Sequence, residues 1–209
     1  MMSGIQEMER IALPRPRLVG EMSVEEALHR RRSVREYGEG PLSMEEISQL
    51  LWAAQGMTDP MGLRTAPSSG ALYPLEIFLA VGDMVGAPPG VYHYHPRHHE
   101  LLQVLTGDRR DAVASAALGQ RWVRDNGALL VIAAVFSRAT TKYGIHGHRY
   151  VHLEAGHAAQ NVALQATAMG LATVLVGAFE DRQTATFLGL PARHEPLCLM
   201  PVGRRPMTE

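Results

Sequence analysis

The chain has 209 residues, 46% of them hydrophobic, enough for one sizeable core without requiring two. A formal net charge of −1 lacks the basic excess of a nucleic-acid binder, so no nucleic-acid partner is expected. The single cysteine, Cys198, excludes an internal disulfide framework and a cysteine-based zinc site.

Cys198 lies in an apolar run at 197–200 and reads as a small buried hydrophobe. The first ten residues carry no apolar segment of the signal-peptide type. No apolar run approaches the ~18–20 residues of a membrane span. No membrane partner is expected, and a cytoplasmic location is the default.

Residues 1–21 read as an extended arm, with Pro14 and Pro16 and little periodicity. Residues 22–205 then form the folded domain. Ser23 with Glu26 reads as a capping box opening a helix to about Arg30. Ser43 with Glu46 is a second, opening a helix with Ile47, Leu50, Leu51 and Ala54 on one face and an end near Gly56.

Residues 57–70 are rich in Gly, Pro, Ser and Thr and form a loop. Strands are expected over 76–81 and 90–95, with 99–104 as a hairpin partner across Pro96 and Arg97. A helix over 108–118 takes Asp108 as its N-cap, and 127–136 is a buried strand. The alanine-rich stretch 150–169 is the strongest helix and ends at Gly170. Its many small residues suit the centre of a fold or a subunit interface. A strand over 171–176, a helix over 181–188 and a strand over 195–202 complete the chain. The order lacks a regular βαβ rhythm. The fold class is α+β, a mixed, mainly antiparallel sheet flanked by helices.

Five clusters carry candidate chemistry. In an extended segment after the first helix, Arg31, Ser33 and Arg35 share one side, with Arg32 between them. Guanidinium forks match phosphate oxygens, although cations there also complement a helix dipole. Pro67, Ser68, Ser69 and Gly70 read either as a surface loop or as a cradle, where Gly70 admits a flat ring and the hydroxyls and amides meet its edge. Val176, Gly177 and Ala178 follow a strand, and their small size leaves an amide open to a ring nitrogen.

Lys142 and Tyr143 read as solvated loop residues or as a proton-transfer pair, since an adjacent ammonium favours a phenolate that acts as a general base. Histidine is the fifth cluster. His148 and His152 have i, i+4 spacing, and Glu154 and His157 are spaced for a local pair. No H-E-x-x-H signature is present, so no metal site is expected. Dinucleotide G-x-G-x-x-G, P-loop and G-x-S-x-G signatures are absent as well.

Taken in order, the strings RRSVREY, TAPSSGALYPLEIFLAVG, GVYHYHP, KYG and RYVHLEAGHAAQNVALQATAMGL resemble the nitroreductase-like flavoprotein family. The C-terminal GAFEDRQTATFLGL and EPLCLMPVG extend the likeness to residues 22–203. Within that family the chain is most similar to the SagB-type, McbC-like thiazole/oxazole dehydrogenase branch.

The resemblance implies an interlocked homodimer with FMN at the subunit interface. Arg31, Arg32, Ser33 and Arg35 match the motif that holds FMN phosphate and the ribityl or ring edge. Pro67, Ser68, Ser69 and Gly70 match a loop that touches the isoalloxazine, often from the partner subunit. Val176, Gly177 and Ala178 match the segment beside flavin N5 and O4. Lys142 and Tyr143 match a pair implicated in azoline oxidation. Arg204 or Arg205 stands where relatives place a basic residue near the phosphate.

The implied activity is hydride transfer between substrate and flavin N5, with azoline dehydrogenation as one form. The substrate is then a small molecule or a peptide heterocycle. Two alternatives stand beside it: an NAD(P)H-dependent nitro or quinone reductase, and a flavin-binding subunit without turnover.

Overall fold

The computed structural model describes residues 9–82 and 84–206. One seven-stranded sheet organises them, in the order β1-β4-β3-β2-β5-β7-β6. These strands are β1 (Arg10–Ala12), β2 (Leu75–Val81), β3 (Gly90–His95), β4 (Glu100–Thr106), β5 (Ala128–Ala134), β6 (Leu171–Thr173) and β7 (Glu195–Arg204). Among the described residues every pairing is antiparallel, which agrees with the mainly antiparallel sheet expected and shows no parallel pair in it.

Alternation along the central strands explains the two cores. On β2, Ile77, Leu79 and Val81 face one layer, while Phe78 and Ala80 face the other. On β5, Leu130 and Ile132 join the first layer, and Leu129, Val131 and Ala133 join the second. Both faces are buried, so β5 reads as an unbroken apolar run rather than an alternating one.

The first face is covered by α2 (Met44–Gln55) and α6 (His146–Ala168), which pack on each other. Alanines 155, 158, 159 and 166 of α6 are buried there, which lets the helices approach closely. Val24–Arg30 forms α1, which also touches α6. The second face is covered by α3 (Arg110–Ala116), α4 (Arg121–Arg124) and α7 (Asp181–Phe187). Ser137–Tyr143 forms α5, directly before α6.

Several boundaries moved for local reasons. Asp108 lies one residue outside the cap position of α3, which Arg109 holds. Its carboxylate still accepts the Arg110 N–H at 3.0 Å and binds the Arg110 guanidinium. Helix α6 starts at His146, four residues before the expected 150, and neither α5 nor α6 has a side-chain N-cap. The arm is extended but not unpaired: β1 adds to the edge of β4, with Arg10 opposite Leu102. Residues 1–8 of the expected arm lie outside the described residues. No helix among the described residues is long and apolar enough to cross a membrane. Cys198 is buried on β7, and burial pushes its thiol up to about 12.

Glu46 joins two distant parts of the chain. Its carboxylate accepts the Ser43 N–H at 2.8 Å while the Ser43 hydroxyl caps the Glu46 N–H, completing the capping box. The same carboxylate pairs with Arg204 at the end of β7. Glu46→Ala should therefore cost roughly 1–3 kcal/mol, more than loss of a cap alone. Urea denaturation checks this, and an unchanged midpoint would show the pair to be idle.

Candidate active site

Two clusters of the expected residues form, at different places on the sheet. The first gathers Gly70, Lys142 and Tyr143. Lys142 and Tyr143 do not lie on a loop, as the sequence suggested, but in the last turn of α5. That turn ends on Gly144 and holds both side chains over the Ser68 to Gly70 segment. A methyl group on Gly70 would lie 2.5 Å from Tyr143 Oη and 2.9 Å from Lys142 Nζ. Its φ of +65° is what favours glycine there, since a Cβ would displace only the ends of the two side chains. The Lys142 ammonium stands 5.3 Å from the centre of the Tyr143 ring. Tyr150 meets that ring edge-on at 5.2 Å.

The loop under this pair is wound and tightly held. Ala71 and Tyr73 also have positive φ, +52° and +45°, an unfavourable conformation for residues with a Cβ. The Ser68 hydroxyl accepts the Tyr73 N–H at 2.8 Å. Glu154, only 3% exposed on α6, accepts the Ser69 N–H at 2.7 Å. The sequence pairs Glu154 with His157, but the carboxylate turns inward and anchors the loop instead. Its signal was legible: Val151, Glu154, Ala155, Ala158 and Val162 share one helical face. An acid on such a face needs a buried donor.

A carboxylate network supports the loop from its far end. Arg138 donates to the Tyr73 carbonyl at 2.9 Å and pairs with Glu76, which also shares a 2.7 Å hydrogen bond with His93. His148 and His152, on α6, flank Phe136. Their rings pack on Phe136 at 5.0 and 5.5 Å, and no group of three His, Cys, Asp or Glu among the described residues is arranged to hold a metal.

The second cluster lies at the other edge, beyond β6. The Val34 N–H bonds the Thr173 carbonyl, and Gly38 bridges Arg204, so the Arg-Ser stretch runs along that edge. Arg32 is not free: its guanidinium bonds the His29 and Arg31 carbonyls and caps α1. The side chains of Arg31, Ser33 and Arg35 have no hydrogen bond or ion pair among the described residues. The Arg35 guanidinium lies 5.7 Å from the Trp122 ring of α4. Gln120, just before α4, bonds the Ala178 carbonyl at 2.8 Å, so Arg35 and the 176–178 segment share this side. Val176 is bridged to Leu199 of β7. Gly177 is exposed, with no atom within 4 Å of where a Cβ would stand. The Trp122 indole N–H is buried without a partner. Of the two C-terminal candidates, Arg204 is committed to Glu46 and the Pro41 carbonyl. Arg205 is exposed and its backbone lies against Gly38.

Within one chain the two clusters stay apart. The loop precedes β2, and β5 and β7 intervene before β6. No hydrogen bond among the described residues joins them.

Burial alone would raise the Glu76 carboxyl, but the His93 hydrogen bond and the Arg138 charge outweigh it and hold the pKa near 2, down from 4.5. As pH falls, the unfolded chain takes up this proton first. The stabilisation is therefore full above about 4.5 and is lost progressively towards 2. Glu76→Gln should lower the thermal midpoint at neutral pH and flatten its decline across that acid window. A decline as steep as wild type would place the acid sensitivity elsewhere.

Residues 28–204 match the nitroreductase family. A protein of Methanocaldococcus jannaschii, named a candidate nitroreductase, is 47% identical over 187 residues, 90% of this chain and 93% of its own length. The microcin B17-processing protein McbC of Escherichia coli is 33% identical over 159 residues, 73% of this chain and 58% of McbC. The crystal structure of a candidate nitroreductase from Ralstonia eutropha JMP134 superposes with a TM-score of 0.84 at 31% identity, covering 99% of this chain and 93% of that one. This chain belongs to the nitroreductase family of oxidoreductases. Its likeness to McbC supports the McbC-like branch.

Proposed function

We propose that the chain is an FMN-dependent oxidoreductase, working as a homodimer, whose preferred reaction is dehydrogenation of an azoline-type ring. The observation that carries this is the Lys142 and Tyr143 pair standing directly over Gly70. A pure electron-transfer site needs no acid or base at that point. A ring oxidation does, because a carbon-bound proton must leave together with the hydride.

The residues present fit a phosphorylated flavin. Half-buried Arg31 and exposed Ser33, Arg35 and Arg205 offer donors for a phosphate, with Arg32 shaping the turn that presents them. The Gly177 amide region is open to a ring edge, with Val176 fixing it to the sheet and Ala178 tied by Gln120. Pro67, Ser68, Ser69 and Gly70 supply the flat floor of the reacting site. Two copies are needed to bring these halves together, the loop of one meeting the arginine edge of the other. A groove of about 690 Å³ between the arm, α1, α2 and α6 supports such pairing. Leu18 and Val19 on its rim are 79% and 86% exposed, an apolar surface suited to a second copy. On this reading residues 22–205 are the flavin-binding domain and residues 1–21 an arm.

When bound, FMN supplies a two-electron acceptor that takes hydride at N5. Tyr143 Oη accepts the proton from the ring carbon. Lys142 Nζ, beside it, offsets the negative charge that the phenolate carries before transfer. Ser68, Glu154 and Arg138 hold the loop so that Gly70 leaves both groups room. The opposite assignment, with Lys142 as base, uses the same geometry.

A second reading has its own support. The Methanocaldococcus relative, matched over nearly its whole length, is named a nitroreductase candidate. In that reaction NAD(P)H is the electron donor, a nitroaromatic or quinone is the acceptor, and no base is required. The two readings separate on one pair of variants. Tyr143→Phe and Lys142→Ala should each cut azoline oxidation by ~10²-fold or more, the usual size of a lost general base, and leave quinone reduction within a few-fold. Equal loss of both activities with flavin still bound would defeat the assigned roles.

The phosphate assignment is tested independently of turnover. Arg31→Ala and Arg35→Ala should each weaken FMN binding ~10-fold or more in flavin fluorescence titrations, while Arg204→Ala should act chiefly on stability. Unchanged FMN affinity in both edge variants would place the phosphate elsewhere.

A further inference from the structure

Next to the wound loop lies a second cavity, of about 280 Å³. Ala71 lines it, one residue beyond Gly70. Most of its walls come from a closed loop over 57–64. Met57 bridges Arg64, the Thr58 N–H bonds the Leu63 carbonyl at 2.8 Å, and the Asp59 carboxylate accepts the Leu63 N–H at 2.9 Å. Met57, Met61 and Leu63 of this loop give the cavity an apolar side. Arg64, Tyr73 and Arg97 give it a cationic and aromatic side.

Arg64 is the unusual member. Its guanidinium lies 4.4 Å over the Tyr73 ring and donates to Gln55 Oε1 at 3.0 Å. An aromatic face and an amide are its partners. Among the described residues no Asp or Glu lies within ion-pair distance of Arg64 or of Arg97. Glu76 acts on Arg64 only from further away, being committed to His93 and Arg138. Burial pushes the Arg64 pKa down from its ordinary value, the mark of a partly desolvated cation that lacks full compensation. Arg97, on the turn between β3 and β4, is exposed and lines the same cavity.

Two cations without a carboxylate partner, facing one small space with methionine and leucine walls, define the occupant's chemistry. One end must be an anion that a guanidinium fork can meet. The rest must be apolar, and the flexible methionines tolerate varied shapes. A free phosphate lacks the apolar part, and a neutral hydrophobe leaves both cations unanswered.

We propose that this cavity is a subsite for the carboxylate of an apolar organic acid, held by Arg64 and Arg97, which makes the substrate an acid-bearing molecule. The proposal rests on the function above only in joining this acid to the reacting ring. Ala71 sets the two sites side by side, so one small molecule spans both. Arg64 also braces Tyr73, so it positions the loop as well as the ligand.

Isothermal titration calorimetry of the flavin-loaded protein with phenylacetate and with 2-phenylethanol tests the subsite. The two probes differ in the anion and share the apolar body. Phenylacetate should bind ~10-fold more tightly or better than the alcohol. Arg97→Gln, at an exposed site that should not affect folding, should reduce phenylacetate affinity ~10-fold and leave the alcohol unchanged. Arg64→Gln should do the same where circular dichroism shows a native fold. Acid and alcohol binding alike within twofold, or phenylacetate binding unaffected by Arg97→Gln, would overturn the proposal. Calorimetry needs no turnover. Failure of the Lys142 and Tyr143 roles would therefore leave a positive binding result standing, and a negative one would leave those roles untouched.

Discussion

A single hydrogen bond organises the loop beneath Lys142 and Tyr143: the buried Glu154 carboxylate on α6 accepting the Ser69 N–H. A carboxylate buried in an alanine-rich face is costly unless a donor meets it. Ser69 supplies that donor, and in doing so fixes the loop to the longest helix of the fold. With the anchor in place, Gly70, Ala71 and Tyr73 hold left-handed conformations that the isolated segment would not favour. The strain is offset on both sides. Ser68 closes the turn from within, and Arg138 holds the Tyr73 carbonyl from the sheet. Gly70 then sits flat beneath Lys142 and Tyr143.

The same logic links the network to the sheet. Arg138 follows the end of β5, and Glu76 and His93 lie on β2 and β3. Adjacent antiparallel strands bring these three together from positions far apart in sequence. The polar cluster therefore depends on strand register, since a slip of one residue would turn Glu76 to the opposite face. Burial on both faces of β2 and β5 makes such a slip prohibitively costly.

Much of this was legible in the chain, and the failures have physical causes. Ser43 with Glu46, and Ser23 with Glu26, announced two helices because caps are local chemistry. The apolar run of β5 and the alanines of α6 were legible for the same reason, as each pattern reports its own burial. The α5 turn was missed because neither α5 nor α6 has a side-chain cap, and Gly144 between them resembles a loop signal. Lys142 and Tyr143 were thus read as loop residues, where the fold puts them in the last turn of α5. Glu154 was assigned a neighbour in sequence, His157, when its partner is 85 residues away. Arg64 drew no notice, because a lone arginine in a loop carries no local sign of being unpaired. Long-range partners are what single-sequence spacing does not encode.

The separation of the two clusters follows from the sheet order itself. The loop precedes β2, while the arginine stretch borders β6, three places away. No hinge within one chain could join them without dismantling β5 and β7, the core of both layers. Each half alone also makes little energetic sense. Arg31, Arg35 and Arg205 form a cationic edge, exposed at Arg35 and Arg205, with no ion-pair partner among the described residues, and the Lys142 and Tyr143 pair stands over a strained loop. In the proposed homodimer a two-fold arrangement would answer both at once, because an isologous contact would set each chain's edge against the other's loop and generate two identical sites. The proposed homodimer is thus a requirement of the proposed chemistry: the reacting pair and the phosphate grip can serve one bound molecule only across a subunit boundary.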